Sequence, residues 1–188
     1  MDLGKLLQES GAVLRGHFVL TSGRHSDTYV EKFRILEQPH VLTTLCREIA
    51  EKFAGQGIDL VAGPTTGGII IAFEVARQMG VSAVYVESEN GVKKLRRGAV
   101  IPTGTRVLVV DDVLTTGTSV REVISVVESE GGIVGGVAVL IDRTESALDF
   151  GAPLHAAHRV EAQSFPPESV PAWLAEIPTS KPGTRITV

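Results

Sequence analysis

Cysteine is nearly absent: Cys46 is the only one in 188 residues. No intrachain disulfide and no cysteine-based zinc site can form, and a reducing cytoplasm is the expected location. Charge of one sign is also lacking. A net charge of −4 gives no basic surface for general nucleic-acid binding. Long apolar runs are missing too. The most apolar internal stretch, Gly67 to Phe73, falls far short of the ~20 residues that span a bilayer. Met1 to Leu7 carries Asp2 and Lys5 among its leucines and has no uninterrupted signal-peptide core. Neither secretion nor a membrane partner is expected, and there is no internal repeat or low-complexity tract. What remains, 43% hydrophobic and 21% charged residues, is ordinary for a soluble globular chain. The length suits a single domain over 1–188 with a substantial core.

The stretch that organises the chain is Arg106 to Ser119, RVLVVDDVLTTGTS. Val107 to Val110 form a short run suited to a strand covered on both faces. Asp111 and Asp112 stand where that strand is expected to end. Thr115-Thr116-Gly117-Thr118-Ser119 then leads into a helical pattern over Val120 to Ser129. Glycine admits positive φ, hydroxyls donate hydrogen bonds, and the first amides of a helix have no internal partner. Together these make a phosphate cradle. Two carboxylates beside a phosphate would repel it unless they serve hydroxyls or a magnesium ion. A sugar phosphate satisfies both groups, which places a ribose-phosphate pocket at the carboxyl end of a parallel strand. The plainer alternative is a strand-to-helix turn with Ser119 as N-cap and solvated acids.

Around this stretch the pattern alternates. Leu3, Leu6, Leu7, Val13 and Leu14 share one helical face, ended by Gly11 or Gly16. His17 to Leu20 and Thr28 to Ile35 read as two strands of an antiparallel hairpin. A helix is expected from Pro39 to Phe53, a strand over Asp59 to Ala62, a helix from Ile69 to Gln78, and a strand over Val81 to Val86. Another strand is expected over Ile133 to Ile141. The result is an α/β fold: a central parallel sheet flanked by helices, a small N-terminal hood over 1–36 of helix and antiparallel strands, and a Pro-rich C-terminal arm over 166–188.

A second small loop, Gly63-Pro64-Thr65-Thr66-Gly67-Gly68, holds the same position after its strand as Thr115 to Ser119 holds after its own. Two such loops on neighbouring strands suit a ribose carrying phosphates at both ends. Alone, this loop is equally a tight structural turn. Lys93, Lys94, Arg96 and Arg97 follow the turn dipeptide Asn90-Gly91, so a hairpin-like excursion carries four cations. They can close over a departing pyrophosphate or form a solvated loop. Arg143, after Ile141-Asp142, can grip a carboxylate bidentately, or form a salt bridge to Asp142 or Glu145.

The string VVDDVLTTGTS closely resembles the PRPP-binding signature of the type I phosphoribosyltransferases. The resemblance implies that Thr115, Thr116, Gly117, Thr118 and Ser119 hold the 5′-phosphate. Asp111 and Asp112 would hold the ribose diol and, through water and substrate, Mg2+. Thr65, Thr66 and Gly67 fall in its pyrophosphate loop, joined by Lys93 and Arg97, with Lys94 the catalytic cation. Gly16 to Tyr29, Asp142-Arg143 and the tail Ser180 to Arg185 resemble the orotate phosphoribosyltransferase branch, implying that Thr115 and Arg143 meet orotate. Catalysis is then assigned to Asp111, Asp112 and Lys94, and a homodimer is implied. The sequence departs from better-known members at Thr21, Gly67 and Glu87-Ser88, where those carry basic residues. The alternatives are a transferase for a purine or another base, and a PRPP-sensing regulator without turnover.

Overall fold

The computed structural model describes residues 2–20, 22–89 and 91–181. The chain divides into two compact units, one of residues 1–38 with 160–188, the other of residues 39–159. The expected limits at 36 and 166 both fall inside the first unit, whose two parts are distant in sequence.

The first unit opens with α1 (Leu3–Glu9), N-capped by the Asp2 carboxylate, which accepts from the Lys5 amide at 3.1 Å. Gly11, at φ 73, then turns the chain into β1 (Val13–Val19). Val13 and Leu14 therefore lie in a strand, not on the expected helix: their spacing fits a helix, but the left-handed glycine ends it first. β1 pairs antiparallel with β2 (His25–Val30), giving the expected hairpin in a shifted register. The second strand was expected to reach Ile35, yet Lys32–Leu36 form the short helix α2, with Glu31 accepting from the Phe33 amide.

The second unit begins with α3 (Pro39–Phe53), which buries Val41, Leu42, Leu45, Cys46, Ile49 and Phe53. Proline at its first position costs no hydrogen bond. Strand β3 (Leu60–Pro64), helix α4 (Gly67–Met79) and strand β4 (Ser82–Glu89) follow. β4 folds back onto β5 (Val92–Leu95), so the expected excursion is a real hairpin, with Glu87 opposite Lys94 and Ser88 opposite Lys93. Next come β6 (Arg106–Leu114), α5 (Thr118–Ser129), β7 (Ile133–Asp142) and β8 (Leu154–Arg159).

These strands form one sheet in the order β5-β4-β3-β6-β7-β8. All neighbours are parallel except the β4–β5 pair. From β3 the chain first builds outward through β4, then returns to the other side of β3 with β6 and continues through β7 and β8. The order thus reverses between β3 and β6, and open α/β sheets bind ligands at the carboxyl ends of such a pair. Apolar side chains of β3, β6 and β7 pack with Val120, Val123, Ile124 and Val127 of α5 as the core on one face. On β7 a side chain at Gly136 would collide with the Phe53 ring of α3.

Residues 160–188 return to the first unit. β9 (Ser164–Phe165) pairs with β2, and β10 (Thr179–Ser180) lies parallel to β1, with the short helix α6 (Ala172–Ala175) between them. The sheet order is β10-β1-β2-β9. The tail motif beyond Lys181 and Thr21 lie outside the described residues. No helix among the described residues is long and apolar enough to cross a membrane.

Candidate active site

β6 runs further than its apolar core implies. Asp111 and Asp112 were expected at its end, but both lie within the strand, Asp111 opposite Val139 of β7, and pairing continues to Leu114 opposite Asp142. Both carboxylates are buried. One oxygen of Asp111 accepts from the Asp112 amide at 2.8 Å, and one oxygen of Asp112 accepts from the Val113 amide at 2.7 Å. These local bonds fix the acids against their own backbone.

After Leu114 the chain turns through Thr115, Thr116 and Gly117 into α5. The N-cap is Gly117, not Ser119, at φ 75 and ψ 7, and no side chain caps the helix. Thr115, Thr116 and Thr118 are exposed, Ser119 is half-buried and Gly117 is buried. The Thr116 and Thr118 hydroxyls lie 3.0 Å apart. A pocket of about 310 Å3 opens here, lined by Asp111, Thr115 to Ser119 and Glu122, among others. A wider hollow near the α3 and α4 carboxyl ends, lined by Arg47, Glu51 and Met79, holds none of the expected site residues.

Beside it, β3 ends in the loop of Thr65, Thr66 and Gly67. The Thr65 amide donates to Val86 O of β4 at 3.0 Å, and the Thr65–Thr66 peptide bond is cis. Thr66 is exposed and α4 begins without a side-chain cap. A side chain on Gly63 would collide with the Gly68 carbonyl, and one on Gly68 would stand 2.5 Å from Pro64 Cδ. The two expected phosphate loops therefore sit at the carboxyl ends of the adjacent strands β3 and β6, where the sheet order reverses.

The cations of the hairpin separate. Lys94 lies 2.8 Å from Glu89, and Arg96 pairs with the same carboxylate. Their hydrogen bonds, Lys94 first, pull the Glu89 carboxyl down to about 2. Lys93, one residue earlier on β5 and so on the opposite face, approaches Glu122 of α5 at 3.9 Å. Of the four, Lys93 is the one paired with a residue lining the pocket, whereas Lys94 turns to the hairpin itself. Arg97 is exposed at φ 58.

Arg143 directly follows β7, and its amide donates to Leu114 O at 2.9 Å, which places it against the end of β6. The neighbouring Asp142 carboxylate accepts from the Thr144 amide at 2.8 Å and lies 3.4 Å from Arg159. In the first unit, Arg24 donates to the Ser164 hydroxyl and carbonyl at 2.9 and 2.7 Å, and His25 meets His17 at 2.5 Å. Both side chains thus bond within the first unit.

Two carboxylates are hard oxygen donors of the kind magnesium takes, and among the described residues no cluster of three or more His, Cys, Asp or Glu could hold a metal alone. Magnesium is commonly held by one or two carboxylates together with water and substrate phosphates, and the Asp111 and Asp112 oxygens are of that donor type. Sequence reasoning missed Phe150: its ring stands 2.9 Å from where a Gly117 Cβ would lie, and nothing in the isolated residue marks that contact.

Residues 34–151, which contain both loops, the hairpin and Arg143, match the family model described as "Phosphoribosyl transferase domain". The chain belongs to the phosphoribosyl transferase family. It is 50% identical over 184 residues to an orotate phosphoribosyltransferase of Pelotomaculum thermopropionicum, covering 98% of this chain and 97% of that one. It is 46% identical to the orotate phosphoribosyltransferase of Caldanaerobacter subterraneus, over 96% of this chain and 95% of the other. The crystal structure of orotate phosphoribosyltransferase from Aeropyrum pernix superposes with a TM-score of 0.73 at 34% identity, over 84% of this chain and 93% of that chain.

Proposed function

We propose that this protein transfers the phosphoribosyl group of PRPP to N1 of orotate, forming orotidine 5′-monophosphate and pyrophosphate in pyrimidine biosynthesis. One observation carries the reading: 50% identity to an orotate phosphoribosyltransferase along 98% of the chain. The geometry supports it. Thr115 to Ser119 bind the 5′-phosphate through hydroxyls and the leading amides of α5. Asp111 and Asp112 take the ribose hydroxyls and, with water and substrate oxygens, Mg2+, which when bound neutralises pyrophosphate charge. Thr65, Thr66 and Gly67 hold the pyrophosphate end. As the C1′–O bond breaks, C1′ becomes oxocarbenium-like, N1 of orotate attacks, and holding both ends of the ribose supplies most of the acceleration. Lys93, Lys94 and Arg97 are the cations proposed for the departing charge; Lys93 approaches Glu122 at the Thr115–Ser119 pocket, and Lys94 pairs with Glu89. Arg143 grips the orotate carboxylate beside Thr115. A homodimer is the proposed assembly, supported by the exposed apolar stripe of Ile70 and Phe73 on α4.

The test follows orotate by absorbance with PRPP and Mg2+, with adenine, guanine and uracil in parallel. Loss of orotate that needs both PRPP and metal supports the reading. Turnover of another base alone reassigns the acceptor, and PRPP binding without turnover identifies a regulator. Arg143→Ala should raise the orotate KM by about 30-fold or more, the range of a lost charge-assisted bond, while leaving PRPP binding unchanged.

A further inference from the structure

We propose that Phe150 is a positioning residue for the phosphate cradle, acting through Gly117 and itself held by Arg121. The proposal rests on reading Thr115 to Ser119 as the PRPP phosphate site. Phe150 lies in the connection between β7 and β8, buried in the same apolar cluster as Val120, Val123 and Ile124 of α5. It stands directly against the one residue of the cradle in the left-handed region. A Cβ on Gly117 would meet Phe150 Cζ at 2.9 Å and Leu148 Cδ1 at 3.1 Å. The bare Cα of Gly117 thus rests on an aromatic wall, which leaves the turn no room to move inward.

Arg121 presses on the same ring. Its guanidinium carbon lies 4.8 Å from the Phe150 ring centroid, and its amide donates to Gly117 O at 3.0 Å. A cation in the first turn of a helix opposes the helix dipole, and stacking on an aromatic face offsets that cost. Arg121 therefore touches Gly117 twice, once through the backbone and once through the ring beneath it. The cradle's amides are set before a phosphate arrives, so binding does not have to order the turn.

The test measures binding of ribose 5-phosphate, then steady-state kinetics with PRPP and orotate, for the wild type, Phe150→Leu, Arg121→Gln and the double variant. Phe150→Leu keeps an apolar filler but removes the flat wall. We expect its PRPP KM and ribose 5-phosphate Kd to rise about 10-fold, with kcat and the orotate KM within about twofold. Arg121→Gln, at an exposed position, should raise the same two constants about threefold, and should add nothing in the Phe150→Leu background. Lower kcat at unchanged KM, the mark of lost folded protein, overturns the proposal, as do additive effects in the double variant. If Phe150→Leu does not fold, Arg121→Gln decides alone: unchanged PRPP constants overturn it. Failure of the wild type to bind ribose 5-phosphate sinks the pocket reading itself and is distinct from equal binding by wild type and variants.

Discussion

The loops after β3 and β6 occupy equivalent places in one sheet, yet they are built by opposite means. Around the β3 loop, glycines make room for backbone: Gly63 and Gly68 approach until neither tolerates a side chain, and Thr65 is tied to Val86 of β4. In the β6 loop, glycine supplies a conformation, with Gly117 at φ 75 and exposed threonines around it. Acids precede only the second loop. The helices differ too: α4 buries Glu74 against Arg77 and Gln78, whereas Glu122 of α5 lines the pocket. A loop closed by its own backbone transmits damage to the fold, while an open one transmits it to the ligand.

Asp112→Asn should break this contrast most sharply. Turnover with Mg2+ and PRPP should fall about 10³-fold, the scale of a lost electrostatic contact to the reacting group, while the thermal midpoint stays within a few degrees. Full activity would remove the acids from the ribose site. Gly63→Ala comes next, with a loss of about 3 kcal/mol in urea unfolding, because its Cβ meets a carbonyl that belongs to a helix start and cannot yield. Gly117→Ala should cost about 2–3 kcal/mol, a left-handed alanine together with displacement of the Phe150 ring 2.9 Å from the new Cβ, and should weaken PRPP binding more than Gly63→Ala does in its folded fraction. Equal losses of PRPP affinity in the folded fractions of the two variants would erase the distinction.

The smallest effect concerns α4. Hydrogen bonding from Arg77 holds the Glu74 carboxyl at about 2, against burial that pushes it up. The folded value lies below that of an unfolded glutamate near 4.3. The stabilisation is therefore nearly complete above about pH 4.5 and is lost as pH falls toward 2; the shift corresponds to about 3 kcal/mol, reduced to roughly 1–2 kcal/mol by solvent screening at the half-exposed Arg77. Glu74→Gln should flatten the acid limb of a stability-versus-pH curve by that amount. An unchanged limb would mean that Glu74 is not held.

Much of this was legible in the residues. The helix Pro39–Phe53 appears with the expected bounds, because its apolar spacing is strong and a proline and a glycine-rich turn frame it. Both loops, the hairpin and Arg143 were placed by small residues and charges at strand ends. β8 was missed, since Leu154–Arg159 is a half-buried edge strand with two histidines and no apolar alternation. The extent of β6 was misjudged because acids read as a strand end, while the β7 ladder carries pairing past them. Lys93 and Lys94 could not be separated until β5 turned them to opposite faces. The helix expected through Val13 and Leu14 yielded to strand pairing with Val30 and Tyr29, which no local spacing encodes.

The missing side chain at Gly136 reaches further than its own strand. Phe53 occupies the place a Cβ would fill, so α3 is indexed onto the sheet by a vacancy, as a key is by a notch. Gln78 of α4 donates to Thr43 O of α3 at 3.0 Å, and α4 begins at Gly67, directly after the Thr65-Thr66 loop. An atom added to β7 would displace α3, α3 would carry α4 with it, and the Thr65-Thr66 loop, the proposed seat of pyrophosphate, would be moved by a change made two strands away.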